Sequence, residues 1–222
     1  MSLSCEIKEA TSSTIKETTL NAANGNSSSQ DDSAETIVRA EIVIKKYGTI
    51  KLDLYADEAP VTVANFVKLA KDGFYDGLTF HRIMEDFMMQ GGDPKGDGTG
   101  GSEREIKGEF AANDHLNGIS HIRGTISMAR SGSQYESYYT AGYELSAAQV
   151  SDVKRAFNSG SSQFFICHAD SLFLDGKYAA FGRVTDGMNI VDKICTESAP
   201  IDNNGTIPAE KQPVIETIKI VE

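Results

Sequence analysis

Short apolar runs, separated by turns and glycine-rich joints, recur from residue 36 to the end of the chain. Residues 37–44 alternate apolar and polar side chains, and the alternation resumes at 50–54 after a turn at 45–48. This pattern predicts a β-hairpin with one buried face. Further short strands are predicted at 78–83, 87–90, 124–130, 163–167, 178–184 and 214–221. A chain of many short strands is mainly β, and we expect a closed antiparallel barrel.

Two segments between the strands have helical periodicity instead. Residues 59–73 place apolar side chains on one stripe, with Pro60 at the start and Gly73 at the end, which are typical helix start and stop signals. Residues 189–195 show a second, shorter apolar stripe. We therefore expect two helices to pack against the barrel.

The first 35 residues differ from the rest of the chain. They are rich in Ser, Thr and Asn, contain no aromatic residue and have few large aliphatic ones. Such a segment cannot bury enough apolar surface to offset the entropy lost on ordering. The sequence thus predicts a disordered tail or tether at 1–35, followed by one folded domain at 36–222.

Charge excludes one class of partner. Lys and Arg number 21 against 32 Asp and Glu, which gives a formal net charge of −11. Because a phosphate backbone would be repelled, we expect no nucleic-acid partner. The apolar runs are also far shorter than the roughly 20 residues that a membrane-spanning helix needs.

The three cysteines, Cys5, Cys167 and Cys195, form no close pair, so a disulfide framework is not predicted. Cys167 and Cys195 lie in apolar surroundings and are expected to be small buried side chains. Cys5 precedes the hydrophilic tail, where a bacterial lipoprotein carries its lipidated cysteine. No apolar signal core precedes it, however. Two locations stay open: an extracytoplasmic lipoprotein anchored through Cys5, or a cytoplasmic protein with an incidental cysteine.

Residues 131–161 interrupt the succession of strands. The first half carries four tyrosines, and the second contains a helix pattern at 147–157 opened by Ser146 as an N-cap. We interpret the segment as an insertion between two strands.

Many separate motifs agree with one known family in the order of the chain. They are Gly48-Thr49-Ile50, Ala59-Pro60, Asn65-Phe66, Phe80-His81-Arg82-Ile83, Phe87-Met88-Met89-Gln90-Gly91-Gly92-Asp93, Gly98-Thr99-Gly100-Gly101, Ser127-Met128-Ala129, Ser162-Gln163-Phe164-Phe165-Ile166, Leu174-Asp175-Gly176-Lys177 and Phe181-Gly182-Arg183-Val184. Over residues 37–222 the chain resembles the cyclophilin-type peptidyl-prolyl cis/trans isomerases, and in particular their bacterial members, with an added insertion near the active-site groove.

The resemblance implies an eight-stranded antiparallel barrel capped by two helices, with the substrate groove on the outer face. It implies isomerisation of X-Pro peptide bonds in support of protein folding, with proline-containing peptides and unfolded proteins as partners. No metal or organic cofactor is expected, and we expect a monomer. His81 and His121 do not belong to any set of side chains with metal-ligand spacing.

Arg82 matches the catalytic arginine of the family. When an X-Pro bond twists, the lone pair of the proline nitrogen localises, so a fixed guanidinium that donates to it stabilises the twisted state more than either planar state. The other residues at matching substrate-binding positions are His81, Phe87, Met88, Gln90, Ala129, Arg130, Gln163, Phe165, Phe173, Leu174 and Tyr178. Phe87, Met88, Phe165 and Leu174 correspond to the apolar pocket for the proline ring. Gln90 and the Arg130 backbone correspond to groups that hydrogen-bond the substrate carbonyls.

Three of these positions depart from many family members. Phe173 stands where eukaryotic members have Trp, and Tyr178 where they have His. The loss of the indole N–H predicts weakened binding of the inhibitor cyclosporin, with isomerisation retained. Arg130 replaces the usual Asn, and we expect its additional charge to lie at the rim of the pocket.

Two questions stay open at this level. The main alternative to an enzyme is a scaffold module that binds proline peptides without useful turnover, although such a module would have no need for Arg82. An adhesin or other surface-binding protein is a weaker alternative that rests on the tail alone. The insertion is either a further wall of the groove, with its tyrosines selecting residues before the substrate proline, or a peripheral decoration.

Overall fold

The computed structural model describes residues 36–221, and the predicted tail and Cys5 lie outside this range. Strands are found at β1 Ile37–Ile44, β2 Gly48–Tyr55, β3 Thr79–Met84, β4 Met88–Asp93, β5 Thr125–Met128, β6 Phe164–Cys167, β7 Ala179–Asp186 and β8 Ile215–Val221. Helices are found at α1 Pro60–Lys71, α2 Glu136–Thr140, α3 Ala147–Phe157 and α4 Met188–Glu197. The fold is therefore mainly β, and each predicted strand is confirmed.

The eight strands form one antiparallel sheet with the order β3-β4-β6-β5-β7-β2-β1-β8. The sheet curls into a half-barrel that brings the beginnings of its edge strands β3 and β8 together. There the Phe80 amide donates to the Pro213 carbonyl at 3.0 Å, and the Ile215 amide donates to the Leu78 carbonyl at 2.8 Å.

The alternation read from the sequence decides which face of the sheet holds the core. Ile42, Ile50, Leu52 and Leu54 are fully buried between the sheet and its helices, whereas their neighbours along β1 and β2 are more exposed. Phe66 of α1 lies among the rings of Tyr75, Phe164 and Phe181, with centroids 5.3–5.5 Å apart. Helix α1 is thus fixed to the inner face of the sheet by a cluster of aromatic rings.

The part of the chain between 36 and 221 has four α-helices, and three of them were predicted from the sequence. Helices α1 and α4 are the two predicted to pack against the barrel, and α1 starts with proline as expected. Helices α2 and α3 belong to the insertion. Helix α3 has the predicted bounds and a capping box, in which the Ser146 side chain accepts from the Gln149 amide and the Gln149 side chain accepts from the Ser146 amide.

Cys167 and Cys195 are both buried and unpaired, as expected from their apolar surroundings. Burial raises the pKa of each thiol to about 12, so both stay protonated and unreactive near neutral pH. None of the helices between residues 36 and 221 is long and apolar enough to cross a membrane.

Candidate active site

A pocket lies on the face of the sheet opposite the core. Arg82 pairs with Gln90 across β3 and β4, Gln90 pairs with Phe165 across β4 and β6, and Phe165 pairs with Ser127 across β6 and β5. Because directly paired residues project to the same side of a sheet, these side chains form one row. Met89, Phe164 and Ile166 alternate with them and face the core. The row forms the floor of a shallow cavity on the outer face.

The cavity has a volume of about 150 Å³. Its lining residues are Arg82, Phe87, Met88, Gln90, Ala129, Arg130, Phe165, Leu174 and Tyr178. Met88, Phe165 and Leu174 are buried together in a small apolar cluster separate from the main core. The cavity therefore combines an apolar floor with one cationic edge, and its size suits a small ring rather than a large ligand.

The Arg82 guanidinium is fixed on the edge of this cavity. Its Nε donates to the carbonyl of Asn204 at 2.7 Å, and its Nη1 donates to Oε1 of Gln90 at 3.3 Å. Its central carbon lies 5.8 Å from the centroid of the Phe87 ring. Burial lowers the pKa of Arg82, opposed by Tyr178 and Asp202, but a guanidinium remains charged at any physiological pH. The site thus holds a permanent, oriented donor.

A relay of hydrogen bonds continues from Arg82 along the cavity wall. Gln90 Nε2 donates to Gln163 Oε1 at 2.9 Å, and Gln163 Nε2 donates to the carbonyls of Gly98 and Gly100 at 3.1 and 2.7 Å. Each amide is oriented by its neighbour, so the Gln90 oxygen faces Arg82. This chain of hydrogen bonds makes the polar edge of the cavity rigid.

A second pocket of about 320 Å³ adjoins the first and shares Gln90, Ala129 and Arg130 with it. It is lined by the glycine-rich loop on one side and by Ser131, Ser159 and Ser161 from the insertion on the other. The two pockets together form one groove across the outer face of the sheet, and we call them the proline pocket and the adjoining pocket.

The glycine-rich loop 91–101 is folded around Asp93. The Asp93 carboxylate accepts from the backbone amides of Lys95, Asp97 and Gly98. A Cβ on Gly100 would come within 2.1 Å of Asp93 Oδ1, so that position requires glycine. The loop lies beside the groove.

Comparison with known proteins gives a consistent result. The model of the family "Cyclophilin type peptidyl-prolyl cis-trans isomerase/CLD" matches residues 39–222. A peptidyl-prolyl cis-trans isomerase of Synechococcus elongatus is 45% identical over 143 residues, which are 64% of this chain and 78% of that protein. The peptidyl-prolyl cis-trans isomerase-like 1 of Rhizopus delemar is 42% identical over 158 residues, 70% of this chain and 80% of the other.

The chain belongs to the cyclophilin family. It is a peptidyl-prolyl cis/trans isomerase. Crystal structures of a cyclophilin-type isomerase of Cryptosporidium parvum superpose on it with a TM-score of 0.65 at 25% identity, covering 84% of this chain and 99% of that one. One structure of that protein was determined in the presence of the dipeptide Ala-Pro.

Most of the residues that the cyclophilin resemblance singled out lie together. The nine lining residues of the proline pocket are all among them, and Gln163 lines the adjoining pocket. Phe173 lies at the outer rim with 63% of its surface exposed, and its ring centroid is 5.6 Å from that of Phe87.

His81 is placed differently. Its side chain is 5% exposed and lies under the glycine-rich loop, with Gly98 nearby, and it is not among the residues that line the proline pocket. The pairing of β3 with β4 shifts register between Phe80 and Arg82, so His81 has no directly paired residue on β4 and the alternation of faces is interrupted there. Burial lowers the pKa of His81, with Asp93 opposing, and the ring is neutral at pH 7.

The expectation of an extra charge at the rim from Arg130 is wrong. Its side chain is 3% exposed and turns under the insertion, where Nη1 and Nη2 both donate to the carboxylate of Glu136. The backbone of Arg130 remains at the groove while its charge is paired below the surface.

Several residues that hold the lining of the site in place were not predicted from the sequence. His121 Nδ1 lies 2.8 Å from Asp175 Oδ1, His121 Nε2 lies 3.0 Å from the Ser127 hydroxyl, and the His121 ring stacks on Phe165 at 6.1 Å. This buried group holds Phe165, the floor of the proline pocket. No set of three or more His, Cys, Asp and Glu side chains in residues 36–221 could hold a metal ion.

Proposed function

We propose that the groove binds an X-Pro segment of a peptide or unfolded protein and that Arg82 is the catalytic residue. The uncatalysed barrier to rotation is about 18–20 kcal/mol because amide resonance must be broken. The cis and trans forms differ by only about 0.5–1 kcal/mol, so catalysis must lower the barrier without shifting the equilibrium. What supports the proposal is the oriented Arg82 guanidinium beside an apolar cavity of ring size.

In this mechanism the substrate proline ring lies on Met88, Phe165 and Leu174. As the bond twists, the proline nitrogen becomes pyramidal and its lone pair can accept a hydrogen bond from Arg82. A planar amide nitrogen has no such lone pair, so the bond forms only near the transition state and lowers the barrier. Gln90 and the backbone at Arg130 bind the flanking carbonyls and hold one side of the substrate while the other rotates.

The test is a proline-isomerisation assay on a short Xaa-Pro peptide with wild type, Arg82→Ala and Arg82→Lys. We expect Arg82→Ala to lose about 100-fold or more in kcat/KM, which is typical for removal of one transition-state donor. Arg82→Lys should recover little, because an ammonium lacks the planar fork. Arg39→Ala, at an exposed arginine on β1, is the matched control. Equal rates for Arg82→Ala and wild type would refute the catalytic assignment.

We propose further that the insertion 131–161 contributes to the choice of residues before the substrate proline. None of its four tyrosines is among the lining residues of either pocket: Tyr135 and Tyr139 pack against the core, and Tyr138 and Tyr143 are exposed and contact each other. The support comes from Ser131, Ser159 and Ser161, which line the adjoining pocket. Deletion of the insertion should change the relative kcat/KM of peptides that differ before proline, and unchanged ratios would exclude the role.

We also propose that the curled sheet is closed in solution, with β3 and β8 as a continuous seam. The hydrogen bonds of Phe80 and Ile215 across this seam support it. The amides of both residues should then exchange with solvent as slowly as those in the centre of the sheet, and fast exchange at both would argue for an open edge.

A further inference from the structure

Arg130 joins the groove to the insertion that follows it in the chain. Its backbone follows β5 and lines both pockets of the groove. Its side chain points away from the groove into the insertion, where Glu136 of α2 binds both terminal nitrogens of the guanidinium. The Arg130 side chain is 3% exposed and that of Glu136 is 20% exposed. The pair is thus a largely buried ion pair with two parallel hydrogen bonds.

The remaining donors of Arg130 bind the backbone on either side. Nε donates to the carbonyl of Lys177 at 2.9 Å, and Nη1 donates to the carbonyl of Ser131 at 2.9 Å. Lys177 immediately precedes Tyr178, which lines the proline pocket. One guanidinium therefore joins the segment at 129–131 to the segment at 177–178. The two segments lie side by side, just beyond the point where the pairing of β5 with β7 ends at Met128 and Ala179, and together they form one wall of the groove.

Three aromatic rings enclose the same guanidinium. Its central carbon lies 4.5 Å from the ring centroid of Tyr178, 5.1 Å from Phe157 and 5.2 Å from Phe110. Phe157 is the last residue of α3 in the insertion, and Tyr178 belongs to the groove. A cation held among ring faces is stabilised further once it is desolvated. The enclosure leaves Glu136 as the one carboxylate that binds the guanidinium within residues 36–221.

We infer that Glu136 is a positioning residue for the isomerase: through Arg130 it holds the wall of the groove formed by 129–131 and 177–178 in the arrangement that binds the substrate. The inference rests on the proposed binding of the peptide in this groove. A buried arginine that loses its carboxylate is left uncompensated, and it is expected to leave the aromatic enclosure for solvent. The bonds to the Ser131 and Lys177 carbonyls are then lost, and this wall is free to move.

Loss of the Glu136 carboxylate is expected to change KM rather than kcat. Backbone groups at 129–130 hold the substrate equally in its planar and twisted states, so a loosened wall removes uniform binding and leaves the rotation step unchanged. Glu136→Gln keeps the size of the side chain and removes its charge. We expect this variant to raise KM about fivefold or more on an Xaa-Pro peptide, with kcat within about twofold of wild type. Glu144→Gln, at an exposed glutamate of the same insertion, is the matched control and should keep both constants.

A double-mutant cycle distinguishes a specific coupling between Glu136 and Arg130 from a general loss of structure. Arg130→Lys keeps a charge but loses the planar fork, and it should raise KM in the same way. Because both changes break one contact, the double variant should be no worse than the worse single variant. Additive effects, or a Glu136→Gln variant that is folded and has the wild-type KM, would overturn the inference. A wild type without isomerase activity, or an unaffected Arg82→Ala variant, would instead refute the proposed catalytic role.

Loss of folding in Glu136→Gln would be addressed with a second variant. Arg130→Met combined with Glu136→Met removes both charges and leaves none unpaired, a replacement that buried ion pairs often tolerate. This variant also lacks the bonds to Ser131 and Lys177. It should therefore fold and still show the raised KM, and a wild-type KM in the folded double variant would overturn the inference.

Discussion

At the scale of single residues, the orientation of Arg82 depends on a chain of hydrogen bonds that extends beyond the proline pocket. The Asn204 carbonyl holds Nε, and the Gln90 amide holds Nη1. Gln90 in turn is oriented by Gln163, whose own amide is fixed by the carbonyls of the glycine-rich loop. A guanidinium that is already in place when the substrate twists has no reorganisation to undergo, and this is the main source of electrostatic stabilisation in enzymes.

Gln163→Ala tests the relay. The change leaves Gln90 Nε2 without its acceptor, so the Gln90 side chain can rotate and stop accepting from Arg82. We expect kcat/KM to fall about tenfold, the equivalent of one hydrogen bond of about 1.4 kcal/mol. The measurement is the isomerisation assay, with Gln134→Ala at an exposed position of the insertion as the control. Equal activity of the two variants would show that the relay does not orient the site.

Phe173→Trp tests the predicted weakness of cyclosporin binding. Phe173 is 63% exposed at the rim and contacts the Phe87 ring at a tilted angle, so an indole fits without displacing buried atoms. The added N–H should strengthen cyclosporin binding about tenfold, as one new hydrogen bond would, and leave peptide isomerisation within about twofold. Titration calorimetry gives the affinities. Leu172→Trp, at an exposed neighbour, is the control, and a similar gain there would show that the effect is not specific to the rim position.

At the scale of elements, the insertion is folded by ordinary helix signals and then joined to the domain by burial. The capping box at Ser146 starts α3, and Val153 and Phe157 of its apolar stripe are fully buried. These features could be predicted because they are local in sequence. Helix α2 could not, since a five-residue helix has no apolar stripe to show.

Strand β4 also extends beyond its prediction, through Gly91 and Gly92 to Asp93. Glycines in a sequence favour a turn rather than a strand, so the sequence predicts that this strand ends at residue 90. In the fold a Cβ on Gly91 would lie 2.7 Å from the Thr79 carbonyl, so the strand needs glycine because the neighbouring backbone approaches closely. A close approach of this kind depends on a residue twelve positions away and has no local signal.

Ser146→Ala tests the stability of the insertion. The variant removes the acceptor for the Gln149 amide and half of the capping box. We expect the free energy of unfolding to fall by about 1 kcal/mol, which is typical for the loss of an N-cap. Urea denaturation measures the change. Ser151→Ala, at an exposed interior position of α3, should instead be neutral or slightly stabilising because alanine is the better helix former. Equal destabilisation by both would contradict the assignment of the cap.

At the scale of the whole molecule, the residues that line the groove could be predicted, whereas the contacts that hold those residues in place could not. The residues of the proline pocket belong to contiguous motifs that resemble those of a known family. Two of the contacts that hold this lining in place are long-range, from the Asn204 carbonyl to Arg82 and from the Asp175 carboxylate to His121. Glu136 lies only six residues from Arg130, but that separation matches neither helical nor strand periodicity. None of the three pairs therefore gives a signal in the sequence.

Two buried histidines make the stability of the whole domain depend on pH. His81 is 5% exposed and His121 is 1% exposed. Burial lowers the pKa of each in the folded state, against opposing contributions from Asp93 and Asp175 respectively. In the unfolded chain the histidine pKa is about 6.5. Below that pH the unfolded state binds protons that the native state does not, so stability is complete above about pH 6.5 and is lost as the pH falls towards the folded-state values.

The free energy of unfolding should therefore decrease between pH 7 and pH 5, by up to about 2 kcal/mol for each histidine that stays neutral in the native state. Urea denaturation at both pH values measures the decrease in wild type and in His81→Leu. The variant lacks one of the two groups, so its decrease should be smaller, whatever its stability at pH 7. Carboxylates that do not interact with His81 contribute equally to both proteins and cancel in the comparison. An identical decrease in the two proteins would show that His81 is protonated as readily in the fold as in the unfolded chain.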